Sequence, residues 1–309
     1  MKVLVTGASG FFGRGIMDEL RSHGHAVDGA ARRVDGKYAN VALDITDRDA
    51  VRAVLTRGYE GVVHCAALAH VRLAAEAAAR ADAVNAVGSA NVVEMASLAG
   101  VANYVFISSV MVYGDHSLPA PVTEDAPLQA IGAYGAAKIA AERATLAAPP
   151  PMRRTILRMA TMYATDWLFN VRKRVAVPLI DRWFSFSLEP TLPRYSLCSR
   201  AGGARVVRAA LEAAIPQGIF NVADDHVYTQ REIRAAVTRI EGPTVAIPVP
   251  LIIPRLALKA AETFARGPRL EAARSRYWKF CEKNVYSTAR LGAAGIRLPP
   301  QLLDACAPA

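Results

Sequence analysis

The sequence predicts an α/β fold: a doubly wound parallel sheet with a smaller C-terminal lobe interleaved with it. Three observations lead there. Short apolar runs alternate with helically spaced stretches over roughly the first half of the chain. A glycine-rich turn, Gly7-Ala8-Ser9-Gly10-Phe11-Phe12-Gly13, joins the first run to the first helix. After about residue 160 the alternation fades and proline and arginine rise. Strands alternating with helices at this spacing build right-handed βαβ units, whose strands lie parallel.

Residues 2–6 form a short apolar run ended by Gly7, the pattern of a strand buried on both faces. Residues 11–23 carry helical spacing and stop at Gly24. Residues 26–31 and 39–43 read as the next two strands, and 47–55 as a helix whose acidic start suits its positive end. Residues 61–65 are a fourth strand, followed by a long Ala-rich helical stretch through Ala99. Residues 104–108 are a fifth strand and 134–147 a helix, broken by Pro149-Pro150-Pro151 before a sixth strand at 155–158. Residues 218–222 read as a strand returning to the sheet, and 245–254 as an apolar, proline-punctuated segment. The expected division is therefore 1–163, with the return strand near 218–222, against a lobe made mostly of 164–309.

The composition narrows the classes. The chain has 309 residues and 33.1 kDa, with 52% hydrophobic and 21% charged residues and a mean hydropathy of +0.18. That excludes a disordered chain. No run approaches the ~18 apolar residues of a membrane-spanning helix. The apolar stretch after Met1 is too short for a signal peptide. Cys65, Cys198, Cys281 and Cys306 lie far apart, with no C-x-x-C and no zinc spacing, so reduced thiols, no metal site and a cytoplasmic location are expected.

The net charge of +10 is uneven. Residues 1–150 carry 13 Lys and Arg against 15 Asp and Glu, and the remainder 24 against 12. A basic second half suits an anionic small molecule, a membrane surface or nucleic acid, or is simply an Arg-rich solvated face. No zinc-finger spacing, RNP-type aromatic run or basic heptad region points to nucleic acid. Residues 255–283 are basic and partly amphipathic, and packing of the lobe is favoured there over a membrane contact.

The glycine turn has the chemistry of a dinucleotide site. Gly7, Gly10 and Gly13 permit a tight turn and close backbone approach, and the helix beginning at Phe11 aims its positive end at a pyrophosphate. Ser9, Phe11 and Phe12 complete the candidate cradle. A 2′-hydroxyl would want a carboxylate after the second strand, and a 2′-phosphate an arginine. Asp28 falls inside that strand, whereas Arg32 and Arg33 follow it. NADP(H) is therefore favoured, with NAD(H) still possible, unless these arginines merely form a solvated loop. Asp44 and Ile45 suit an adenine amino group and ring, although Asp44 suits a helix N-cap equally.

Tyr134-Gly135-Ala136-Ala137-Lys138 sets a phenol and an ammonium one helical turn apart on the same face. The pair opens the helix before the sixth strand, and Ser109 ends the strand before it, near the carboxyl-end crevice where ligands bind. His64, beside Cys65, reads as core rather than metal ligand.

These stretches, together with 62–67, 84–100, 106–114 and 155–163, resemble the extended short-chain dehydrogenase/reductase superfamily. The resemblance is to its NAD(P)-dependent nucleotide-sugar epimerase/dehydratase branch, and it implies a Rossmann-type sheet. It further implies Tyr134 as general acid/base, Lys138 on the nicotinamide ribose and favouring the phenolate, and Ser109 on the reacting oxygen. Ala66 and Ala67 would line the dinucleotide. Asn85 matches the family's helix asparagine that supports the lysine or a water, unless it is only a polar helix residue. His70, Arg72, Arg174 and Arg194 are candidates to face the substrate. A homodimer through the helices near 84–99 and 137–147 is also implied.

Departures bear on the substrate. The dehydratases' Asp-Glu after the catalytic Ser/Thr is Val110-Met111 here, which argues against 4,6-dehydration. The family's R-P-x-N-x-Y-G becomes Arg158-Met159-Ala160-Thr161-Met162-Tyr163-Ala164, and its H-V-D-D stretch is replaced by Tyr195-Ser196-Leu197-Cys198-Ser199-Arg200-Ala201-Gly202. Three functions stand: an epimerase or 4-ketoreductase of a nucleotide sugar; an NADPH-dependent reductase of a non-nucleotide ketone, aldehyde or lactone; and a non-catalytic dinucleotide-binding sensor.

Overall fold

A computed structural model describes residues 1–68, 81–114, 120–130, 132–179, 182–189, 193–242, 245–267, 270, 273–274, 277, 280–281 and 284–304. The first six strands are Lys2–Thr6 (β1), Ala26–Ala31 (β2), Val41–Ala42 (β3), Gly61–His64 (β4), Asn103–Ser109 (β5) and Arg153–Met159 (β6). Thr161–Tyr163 (β7), Ala176–Leu179 (β8), Arg182–Glu189 (β9) and Arg194–Ser199 (β10) follow, then Gly218–Val222 (β11), Val227–Thr229 (β12) and Val245–Pro250 (β13). Seven strands form the central sheet in the order β11-β6-β5-β4-β1-β2-β3. All its pairings are parallel. This is the doubly wound, Rossmann-type order, whose reversal beside β1 opens a ligand crevice at the carboxyl ends.

Alternation along the strands makes two cores. Val3, Val5, Val63, Val105 and Ile107 point to one face, under helices Phe11–Ser22 and Arg200–Leu211. Leu4, Val62, Tyr104 and Phe106 point to the other, under Arg48–Leu55, Ser89–Leu98 and Gly132–Ala147. Ile16 and Leu20, both fully buried, each stabilise the first layer by ~1.5–3 kcal/mol. The helix Arg200–Leu211 thus covers the sheet although it lies in the C-terminal half.

Other differences from the sequence reading have local causes. The third strand shrinks to Val41–Ala42 because the Asp35 carboxylate accepts the N–H groups of Lys37, Tyr38 and Ala39 and turns the chain. The described part of the long Ala-rich helix is a π-type turn, Ala83–Gly88, running into Ser89–Leu98. Beyond residue 160 two three-stranded sheets appear, β12-β10-β7 and β13-β9-β8. The prolines of β13 sit on an edge strand, where no ladder donor is needed. Tyr163, Val171, Tyr195, Leu197, Tyr228 and Ile233 are buried in a third core, belonging to this lobe.

Candidate active site

The crevice begins at the glycine turn. Gly7 adopts φ +70°, and a Cβ there would lie 2.7 Å from the backbone of Ala66, so the turn after β1 presses directly on the segment after β4. A Cβ on Gly13 would collide with the Gly7 carbonyl, which fixes the approach of the helix to the turn. Gly10 is the N-cap, with no side-chain cap bond and no acidic residue in the first turn. The helix's first N–H groups and its positive end therefore remain available to an anion. Ser9 is half-buried and its carbonyl accepts from Arg14 Nε at 2.9 Å. Phe11 stacks on Trp167, with centroids 4.1 Å apart, and the Arg200 guanidinium lies 5.1 Å from the Phe11 ring centroid. Phe12 is a core side chain, so only its backbone can serve a ligand. These features fit a dinucleotide pyrophosphate.

At the far end, Asp28 accepts from Asn40 Nδ2 at 2.6 Å and from the Tyr59 hydroxyl at 2.8 Å. Burial opposes its ionisation, but these bonds and the charges of Lys2 and Arg57 hold its carboxyl below the usual value. Arg32 and Arg33 are exposed just past β2 and make no salt bridge among the described residues. Asp44 is exposed, and its carboxylate takes the Thr46 N–H and hydroxyl. Asp47, not Asp44, caps the next helix, accepting from Ala50 N at 3.0 Å. Ile45 is buried against Gly88. Its side chain packs in the core cluster on the Leu4 face of the sheet.

The third group gathers at the carboxyl ends of β4 and β5. Lys138 is buried, and its Nζ donates to the Ile107 carbonyl at 2.7 Å. The ammonium also lies 4.7 Å from the Phe106 ring centroid and 5.9 Å from that of Tyr134. Burial pushes Lys138 down to about 8, opposed by Cys65 and Glu142. Burial pushes Tyr134 up to about 12, with Cys65 adding to the rise. A phenolate favoured by Lys138 is thus not what these surroundings alone produce. Ser109 caps the following short turn, its Oγ accepting from Met111 N at 3.2 Å.

Asn85, fully buried in the π-type turn, accepts from Leu68 N at 2.8 Å and donates to Leu68 O at 3.0 Å. Its amide fixes the backbone two residues past Ala66, and neither bond goes to Lys138. Ala66 and Ala67 are half-buried, and the Ala66 N–H donates to Thr6 Oγ1 at 3.2 Å. His64 bridges Thr6 Oγ1 at 2.7 Å and Ser89 Oγ at 2.9 Å. Since Ser89 donates to the Asn85 carbonyl, His64 must donate to Ser89 and accept from Thr6. Burial lowers its pKa to about 3, which keeps it neutral. Among the described residues no group of His, Cys, Asp or Glu could hold a metal.

Two neighbouring side chains carry no site expectation from the sequence. Cys65 directly follows β4 and lies close enough to Tyr134 and Lys138 to couple to both. Its signal was its place at a strand's carboxyl end. Glu142, one turn beyond Lys138, forms a buried pair with Arg158 at 2.7 Å and accepts from Ser108 Oγ at 2.5 Å. Arg158 also donates to the Tyr113 hydroxyl and the Glu124 carbonyl, both at 2.9 Å.

A family model for the NAD dependent epimerase/dehydratase family matches residues 3–178, more than half of the chain. The chain belongs to that family. A dTDP-4-dehydrorhamnose reductase of Mycolicibacterium smegmatis is 33% identical over 179 residues, covering 57% of this chain and 51% of the relative. A UDP-glucose 4-epimerase of the same organism is 35% identical over 156 residues, covering 46% and 49%. The chain thus spans about half the length of these curated relatives. Among solved structures, a short-chain dehydrogenase/reductase superfamily protein from Agrobacterium tumefaciens with bound NAD has a TM-score of 0.76 at 21% identity, covering 99% of this chain and 95% of that one. That likeness extends the fold, though not the function, over the C-terminal lobe.

In this epimerase/dehydratase family protein the lobe holds one candidate inward and one outward. Arg174 is buried, donates to Thr161 Oγ1 at 2.7 Å and lies 5.5 Å from the Tyr195 ring centroid. Burial lowers its pKa, opposed by Tyr195 and Tyr286. Arg194 is exposed on the edge of β10. His70 and Arg72 lie outside the described residues, as does Cys306.

Proposed function

We propose that the protein transfers hydride between a nicotinamide dinucleotide and a ring carbon of a nucleotide-activated sugar, with reduction of a ring ketone favoured over epimerisation. The observation that carries this reading is the Tyr134–Lys138 pair at the carboxyl end of β5, with Lys138 Nζ held 2.7 Å from Ile107 O. The bound dinucleotide supplies the carbon that gives or takes hydride. The chain's residues bind, orient and move the proton. Gly7, Gly10 and Gly13 admit the pyrophosphate to the helix start. Tyr134, its phenol raised to about 12, is a proton donor at neutral pH, as a ketone needs when hydride arrives. Lys138, charged below about 8, orients the ribose and stabilises the phenolate left behind. Ser109 donates to the same oxygen as charge develops on it. Asn85 acts indirectly, by fixing Leu68 and the wall after β4.

Exposed Arg32 and Arg33, with Asp28 already engaged, support NADP(H) over NAD(H). Val110-Met111 after Ser109 supports reduction or epimerisation over dehydration. The sugar would lie between the sheet unit of 1–163 with 218–222 and the lobe that follows, near Arg174. A relative named for 4-dehydrorhamnose reduction supports the reductive direction, and one named for 4-epimerisation the reversible one.

A second reading, reduction of a non-nucleotide ketone, is favoured by Thr161, which stands at the family's asparagine and is bonded to Arg174. Calorimetric titration separates the two. Binding of UDP or dTDP, with NADPH tighter than NADH, is expected. Failure of both nucleotides to bind would favour the second reading, and NADPH no tighter than NADH would remove the cofactor preference.

A further inference from the structure

Helix Ile252–Phe264 stands outside the chemistry described above and has no buried residue. Its half-buried positions, Leu251, Pro254, Leu258, Ala261 and Ala265, recur at helical spacing and define the side turned to the protein. The opposite side is largely apolar, its one polar member, Thr263, turning its hydroxyl back to the Lys259 carbonyl. Ile252, Ile253, Leu256 and Phe264 are 56%, 54%, 57% and 86% exposed, with Ala257 and Ala260 filling the gaps between them. Soluble surfaces rarely collect large side chains into one such patch.

Charge identifies the occupant. Arg255 and Lys259 line one border of the apolar strip beside Glu262, whose carboxylate is paired with Arg274 at 3.1 Å, and Arg266 holds the helix end by donating to the carbonyls of Glu262, Thr263 and Ala265. The sequence over 255–283 carries eight Lys and Arg against three Glu. A second copy of a chain with net charge +10 would bring like charges together there. A polyanion alone would leave the isoleucines and Phe264 in water. An apolar strip edged by cations matches an interface that is greasy within and negative at its surface. No described helix is long and apolar enough to cross a membrane, so the helix would lie in the surface plane.

We propose that helix Ile252–Phe264 docks the protein onto the surface of an anionic lipid bilayer. The sequence reading favoured lobe packing for this segment; the open apolar strip points instead to this contact. The docked protein would act on substrate at the membrane face.

Flotation of the full chain with vesicles tests it, comparing pure phosphatidylcholine with phosphatidylcholine containing a quarter phosphatidylglycerol. Several basic residues near the surface should favour the anionic vesicles by about tenfold or more. The preference should shrink between about 0.1 M and about 1 M salt as the screening length falls. The double variant Leu256→Asp/Phe264→Asp should lose at least about tenfold in binding by removing the inserted strip. Both side chains are exposed, so thermal unfolding and NADPH titration should match the parent. Wild-type protein that binds neither vesicle, or both equally, overturns the proposal. So does a lipid-free dimer, seen by sedimentation, that the double variant abolishes, because a second copy would then be the occupant.

Discussion

Burial displaces Tyr134 and Lys138 in opposite senses, up to about 12 and down to about 8, because it disfavours whichever form is charged. The sign of the resulting pH dependence follows. Below about 8 the ammonium is present and the phenol protonated; above it Lys138 loses its charge while Tyr134 keeps its proton. The rate of NADPH-dependent reduction should therefore fall as pH rises through about 8, measured as a pH–rate profile. Cys65 should not set that limb. Its thiol, pushed up to about 11 by burial, does not titrate there; because Cys65 opposes the lowering of Lys138, Cys65→Ser should keep the falling limb but move it to lower pH. The Tyr134/Lys138 spacing was legible in the sequence, but this protonation order was not. It depends on Phe106, Cys65 and the Ile107 carbonyl closing around the pair, which no local spacing encodes.

Elements hold those residues, and two substitutions test how. Gly13→Ala would set a methyl against the Gly7 carbonyl and force the first helix off its turn. Overpacking of this kind costs about 1–3 kcal/mol, so chemical denaturation should show that loss together with weakened NADPH binding. Glu142→Gln removes one partner of a pair whose side chains are each only 2% exposed. Leaving Arg158 buried and uncompensated should cost ~3–5 kcal/mol, read from the same denaturation curves. Strands β1, β2 and β11 were legible because each is a short run bounded by turn residues. Strands β7, β10 and β12 were not, because β7 and β12 are short and their partners lie far apart in sequence; nor were β8 and β9, although they are adjacent and pair with each other. Asp44 suits an adenine contact and a helix cap equally in sequence, because both it and Asp47 are acidic residues just before a helix; the bond from Ala50 N assigns the cap to Asp47.

At the scale of the molecule, the doubly wound sheet brings the glycine turn, Ala66, Ser109 and Lys138 to one edge, and Arg174 is buried in the lobe proposed to cover the sugar. The asymmetry of charge was visible in the sequence, whereas its meaning depended on which faces were covered. Arg32→Ala/Arg33→Ala should weaken NADPH by about 1–3 kcal/mol in calorimetry, as expected for lost charged hydrogen bonds, and leave NADH nearly unchanged. Val87, Leu98 and Leu146 are 56%, 74% and 51% exposed on the stretches near 84–99 and 137–147 through which the family resemblance implies a homodimer. Leu98→Glu/Leu146→Glu should then sediment as a monomer where the parent sediments as a dimer.

NADPH oxidation with a panel of UDP- and dTDP-linked 4-keto sugars, run on the parent and on Tyr134→Phe, bears most directly on the proposed chemistry. The parent should consume NADPH in step with reduction of at least one sugar, and the variant should turn over ~10²–10⁴ times more slowly while binding NADPH as well. Parent-level turnover in Tyr134→Phe, or no NADPH consumed with any of these sugars, would contradict it.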